Sequence, residues 1–261
     1  MFIDFLQNAF LPSAILLFFY MLVWFFVALL KKRNDVADIA WGLGFVLLAV
    51  FTYLYYSQKE ILNTIVTLLV LVWGLRLSTH IYLRNRGKDE DPRYKKWRYD
   101  WGKWFYLRSF LQVFMLQGFL LLLIVSPVLY INYFGSEFGV FAYLGIFIWF
   151  FGFVFESVGD RQLKDFLSKG ENKGKIMQSG LWKYTRHPNY FGEALMWWGI
   201  WILSLGLSGA IYLIFSPLLI TCLLRFVSGV PLAERFFAGN KEFEEYKNKT
   251  NAMFPWFLKN N

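Results

Sequence analysis

Seven long apolar stretches, separated by short polar ones, set the pattern of this chain. They cover Phe10–Leu30, Ile39–Tyr56, Ile61–Leu83, Phe105–Ile131, Phe138–Phe155, Tyr190–Leu207 and Ala210–Phe226. A helix needs ~20 apolar residues to cross a bilayer, and the shorter stretches lie near the lower bound of ~17. The pattern predicts an all-α polytopic membrane protein of seven transmembrane helices. The last two stretches meet at Gly206-Leu207-Ser208-Gly209, an uncharged run that predicts a tight helical hairpin. Sizeable polar regions are confined to residues 84–108, residues 159–188 and the C-terminal tail.

Lys and Arg collect in cytoplasmic loops, so their placement tests the helix count independently. The first loop holds Lys31, Lys32 and Arg33, and the second only Lys59. The third holds nine basic residues and the fourth, around Gly135, none. The fifth holds seven, the sixth none, and Arg225 with the tail contributes six. Only Arg76 is left inside a helix. This alternation predicts an N-terminus outside and a C-terminus in the cytoplasm, and it favours an odd number of helices over an even one.

Composition agrees: 57% hydrophobic residues, 22% aromatic residues and a mean hydropathy of +0.40 exceed what a soluble core needs. The net charge of +9 over 261 residues is mostly topological, with contact to anionic lipid as a second contribution. It is no evidence for nucleic acid. The first apolar stretch is too long for a signal-peptide core and follows no Lys or Arg, so it is expected to remain as the first helix. Cys222, the single cysteine, excludes an intramolecular disulfide and a Cys-rich metal site, and no metal is expected. No repeat or linker is visible, so residues 1–261 read as one transmembrane domain, in a bacterial inner membrane or the endoplasmic reticulum.

Candidate chemistry lies at the cytoplasmic ends of the predicted helices. Arg76, His80 and Arg84 recur every four residues, aligning three potential cations on one helix face before Asn85-Arg86-Gly87-Lys88. Arg84 alone also suits snorkelling to headgroups, and His80 also suits a packing role, but Arg76 lies about two turns inside. Glu156 and Asp160 are again four apart, followed by Arg161, Lys164 and Lys175. A carboxylate there accepts from ribose or adenine while the cations hold phosphates. Asp38 is either a helix cap or a carboxyl group facing the bundle interior, where desolvation favours the protonated, donating form. The run Tyr184–Glu193 opens a hydrophobic helix at Pro188. It places Asn189 and Glu193 on one face, about a turn inside the apolar region, where an ionisable group is a functional candidate.

The segment Gly180–Glu193, with Asn189-Tyr190-Phe191-Gly192-Glu193 at its centre, resembles the C-terminal signature of steroid 5-alpha-reductases and related membrane sterol reductases. A looser His-Pro-x-Tyr form occurs in isoprenylcysteine carboxyl methyltransferases and phospholipid methyltransferases. Leu83-Arg84-Asn85-Arg86-Gly87 is similar to the Asn-Arg-Gly loop of the reductases, and Glu156–Leu163 to the segment with their cofactor-contacting aspartate. Phe243-Glu244-Glu245-Tyr246 followed by Pro255 is similar to their tail. The resemblance covers most of the chain after Trp73, so the cofactor-binding half spans about residues 73–261.

The resemblance implies NADPH as cofactor, held by Asn85, Arg86, Asp160, Lys175, Asn189, Tyr190 and Glu193. Arg76, His80, Arg84, Glu156 and His187 join them from the reading of the residues. Lys175 stands where the reductases have arginine, keeping the charge without the bidentate fork. In that family a carboxylate on the second helix and a tyrosine on the third act on the substrate carbonyl. Asp38 matches the first, and Trp73, an indole donor without an acidic proton, stands at the second. The implied activity is reduction of an activated C=C bond in a steroid- or lipid-like substrate that enters from the bilayer, with Asp38 and Trp73 as its catalytic residues. The alternative is a membrane methyltransferase using S-adenosylmethionine, which lacks phosphates and gains nothing from the cation line. A non-catalytic lipid-binding protein would use the same polar groups only to join helices.

Overall fold

The computed structural model describes residues 2–135 and 138–257. Ser136 and Glu137 of the fourth loop, and the tail from residue 258, lie outside the described residues. The helices are α1 (Phe2–Lys31), α2 (Val36–Tyr55), α3 (Ile61–Asn85), α4 (Pro92–Phe134), α5 (Val140–Ser168), α6 (Pro188–Ser204), α7 (Ala210–Phe237) and α8 (Lys241–Lys249). Among the described residues there is no β-strand. Among the described residues six helices, α1–α5 and α7, are long and apolar enough to cross a membrane. The chain is an all-α, multi-pass integral membrane protein. Helix α6 has 17 residues, at the lower bound for a span.

Local signals explain where the helices depart from the apolar pattern. Residues 84–108, expected as loop, become helical from Pro92. Asp91 caps that turn by accepting from the Arg93 N–H at 2.9 Å, and Pro92 occupies a first-turn position where its missing N–H costs nothing. The decapeptide Pro92–Trp101 is polar, so hydropathy does not detect it. Gly102, with φ +48°, separates it from the apolar part of α4. Helix α5 likewise runs on past Phe155 to Ser168, which puts Glu156 and Asp160 inside a helix rather than at its end.

The chain divides into two compact units, Met1–Gly139 with Ser204–Leu213, and Val140–Leu203 with Ile214–Asn261. In the first, Gly42 of α2 and Gly74 of α3 bring two backbones together: a Cβ on Gly74 would stand 2.7 Å from the Gly42 carbonyl oxygen. Buried amides fasten this bundle. Asn132 on α4 donates to Thr52 Oγ1 of α2 at 3.0 Å, and Asn63 on α3 donates to the Ile131 carbonyl at 2.7 Å. Such bonds join helices where water offers no alternative.

In the second unit, Gly145, Gly152 and Gly159 recur every seven residues on α5 and meet α6 along its length. A Cβ on Gly145 would stand 2.6 Å from the Gly199 carbonyl oxygen, and one on Gly152 would stand 2.6 Å from that of Gly192. Gly159 faces Pro188 and Asn189. Glycine is required here because any side chain would force the two backbones apart.

Candidate functional site

The first unit gathers charged groups where the chain enters α2 and α4. Asp38 lies in the first turn of α2, and its carboxyl group accepts twice. Tyr94 Oη donates to Oδ1 at 2.7 Å, and the Arg93 guanidinium donates to Oδ2 at 3.1 Å. Arg93 also forks onto Asp91 through Nε and a terminal nitrogen, at 3.0 and 3.1 Å. Beside them Arg33 makes a bidentate pair with Asp35, two contacts of 2.6 Å, and the Asp91 N–H donates to Asp35 at 3.1 Å. Glu90 receives the Asn34 N–H at 2.7 Å and the Arg98 guanidinium at 3.1 Å. Three arginines thus pair with four carboxyl groups and clasp the start of α2 to the start of α4. Burial pushes the Asp91 carboxyl up, but the Arg93 guanidinium and backbone N–H outweigh it and hold it below the usual value.

Trp73 is buried on α3 and packs edge-on against Phe45, ring centres 5.2 Å apart. Arg76 and His80 are half-buried farther along α3, and Arg84, Asn85 and Arg86 stand at its end, with Arg84 and Arg86 exposed. Arg84 Nε donates to Asn85 Oδ1 at 3.2 Å, while the buried Asn85 Nδ2 has no hydrogen-bond partner.

In the second unit the glycine contacts of α5 and α6 bring Asn189 to Asp160, whose Oδ1 accepts from Asn189 Nδ2 at 3.1 Å. Asn189 Oδ1 is buried without a partner. Glu156 and Glu193 are 2% and 8% exposed, unusual depths for carboxyl groups, and Tyr190 stacks on His187 at 5.1 Å. Lys175 is exposed in the segment before α6.

The front of the signature does different work from its back. Arg186 is buried and reaches Glu234 on α7 at 2.8 Å through Nε. It also donates to the carbonyls of Lys247 and Thr250, and its backbone N–H donates to Asn251 O. Thr185 Oγ1 donates to Met253 O at 2.8 Å, and Tyr246 Oη donates to Trp182 O. His187 Nε2 lies 3.1 Å from Glu234 Oε1. Burial pushes the imidazole below its ordinary 6.5, and the Glu234 carboxylate opposes this only in part. Thr185, Arg186 and His187 therefore hold the tail and α7, whereas Asn189, Tyr190 and Glu193 line the start of α6.

Arg93, Tyr94 and Glu234 escaped the sequence reading. Asp91-Pro92 is a helix-start signal that would have put Arg93 and Tyr94 in a first turn. No local signal pairs Arg186 with Glu234, 48 residues away.

A family model described as a protein of unknown function, DUF1295, matches residues 24–250. An uncharacterized protein of Schizosaccharomyces pombe is 28% identical over 236 residues, 78% of this chain and 65% of its own length. The 3-oxo-5-alpha-steroid 4-dehydrogenase 1 of Rattus norvegicus is 29% identical over 114 residues, 44% of this chain and 41% of the enzyme. That of Mus musculus is 31% identical over 114 residues, 44% and 42% respectively. The chain therefore spans about two-fifths of the length of the steroid enzymes it matches.

Proposed function

The chain belongs to the DUF1295 family, which is steroid 5-alpha-reductase-like, and from that membership we propose a membrane-embedded NADPH-dependent oxidoreductase that reduces an activated C=C bond. Its substrate is steroid- or lipid-like and hydrophobic. The observation that carries the cofactor assignment is Asn189. Its Nδ2 is fixed by Asp160 and its Oδ1 is buried without a partner, on the helix whose sequence resembles the reductase signature. A buried acceptor left unmade costs about 1–3 kcal/mol, which a ligand donor recovers.

Ribose hydroxyls and the nicotinamide amide are such donors, and in this unit Asp160, Lys175, Tyr190, Glu193, Glu156 and His187 are the further candidate contacts. In the other unit the orphan Asn85 Nδ2 calls for an acceptor such as a phosphate oxygen. Arg76, His80, Arg84 and Arg86 supply the cations for phosphate there. Taken unit by unit, the orphan acceptor of Asn189 and the orphan donor of Asn85 are each of a kind that a dinucleotide satisfies.

When bound, NADPH supplies hydride to the distal carbon of the double bond. Negative charge then grows on the conjugated oxygen, and hydrogen-bond donors must meet it. Asp38 accepts from both Tyr94 and Arg93, an arrangement suited to a carboxylate. Its role in this reading is to hold the phenol and the guanidinium, and the single O–H of Tyr94 reaches the substrate oxygen only by turning away from Asp38. Trp73 contributes an N–H donor only. The overall addition of hydride and one proton saturates the bond.

Calorimetric titration of detergent-purified protein with NADPH and with S-adenosylmethionine tests the reading. NADPH is expected to bind and S-adenosylmethionine not. The reverse preference would establish the methyltransferase alternative. We also retain seven spans, with α6 as the seventh, and a cytoplasmic C-terminus, supported by the alternating basic loops.

A further inference from the structure

Within the first unit a cavity of about 190 Å³ lies between α1 and α4. Its floor is Leu17, Met21, Gly118 and Leu122, all buried, and its rim is Phe18 and Phe119, 47% and 59% exposed. The cleft opens at the rim and closes inward.

Two local features create it. Gly118 has no side chain where one would crowd Met21, whose Cγ would be 3.0 Å from an added Cβ. Immediately before the cleft wall, Ser109–Met115 forms a π-helical segment, a widening of the helix that recurs at functional positions.

The lining decides the occupant. It offers water no hydrogen-bonding side chain except weakly accepting thioethers, and apolar cavities of this kind stay dry. Left empty, its walls would forfeit dispersion contacts. The rim is continuous with the exposed apolar surface of the same two helices, Ile15, Phe19 and Leu116 among it, and both helices are long and apolar enough to cross a bilayer. Size narrows the choice further. A cavity of ~150 Å³ suffices for benzene, whereas drug-sized ligands occupy ~300–1,000 Å³, so the cleft admits a single chain and not a fused-ring body.

We propose that the cleft between α1 and α4 seats one alkyl chain of a bilayer lipid at a site of its own. It is independent of the reductase reading. The test is native mass spectrometry of the purified full chain titrated with a defined phosphatidylglycerol, comparing the parent protein with Ala14→Trp, which fills the cleft from the α1 side. Gly118→Ala is the milder second variant, and Phe147→Ala on lipid-facing α5 is the control. The first lipid is expected to bind about tenfold more weakly to Ala14→Trp, measurably more weakly to Gly118→Ala, and unchanged to Phe147→Ala. Equal affinity in all four proteins overturns the proposal. So does a dimer of the parent protein that Ala14→Trp dissociates, since a second copy would then occupy the cleft. Circular dichroism of each variant identifies any that fails to fold, and the proposal is then judged on the remaining one.

Discussion

Tyr94 Oη donates to Asp38 Oδ1 at 2.7 Å, joining the first turn of α4 to the first turn of α2 across 56 residues of chain. The phenol is 3% exposed, so no water substitutes for its partner. Replacing Tyr94 with Phe should leave Asp38 held by Arg93 alone and cost about 1–2 kcal/mol of stability. If Tyr94 carries the acidic proton, turnover of an enone substrate falls while NADPH affinity holds. Parallel losses in both would assign Tyr94 to folding only.

The cofactor assignment makes its own prediction. Glu193→Ala and Arg86→Ala should each weaken NADPH binding about tenfold with helicity retained, measured by calorimetry. Unchanged affinity in both would remove these contacts from the proposal.

Helices α5 and α6 should not tolerate a side chain at their crossing. Gly152→Leu would drive atoms into the Gly192 carbonyl, and overpacking of this kind costs about 2–3 kcal/mol. Because the same crossing brings Asn189 to Asp160, NADPH affinity should fall with the melting temperature. Gly139→Leu, whose added Cβ would meet nothing within 4 Å, should leave both unchanged.

Arg186→Met should release the tail. It leaves Glu234 without its guanidinium and two tail carbonyls without a donor, and breaking a buried pair costs about 3 kcal/mol. Limited proteolysis should then cut between residues 240 and 256 in the variant well before the parent protein.

His187 gives a pH dependence of definite sign. Its folded pKa lies below the unfolded value of 6.5, so the unfolded chain binds more protons between the two, and stability rises with pH there. The contribution is complete above pH 6.5 and is lost as pH falls toward the folded pKa. Thermal unfolding from pH 8 to 5 should show a shallower loss in His187→Gln than in the parent. An identical slope would mean that His187 does not titrate in this window.

Hydropathy and residue spacing carried much of this protein. Burial in a bilayer requires long apolar runs, so six of the seven expected stretches are recognisable in helices long and apolar enough to span, and Pro188 marked the start of α6 because proline suits a first turn. Asn189 and Glu193 stood out because polar groups at such depth are costly. The polar helix Pro92–Trp101 escaped because its stability comes from a cap and an ion-pair clasp that hydropathy does not register.

The sequence by itself determined which segments are apolar helices and which carries the signature, though not that the basic stretch after Asp91 is helical. Tertiary structure alone decided which side chains are already engaged. Asp38 is bound by Arg93 and Tyr94, and Arg186 is spent on Glu234 and the tail, while Asn189 keeps one buried acceptor unmade. The reason is physical. Periodicity follows from the geometry of a single helix, whereas a hydrogen bond between residues 48 or 56 apart depends on how separate helices approach, and here glycines set much of that approach.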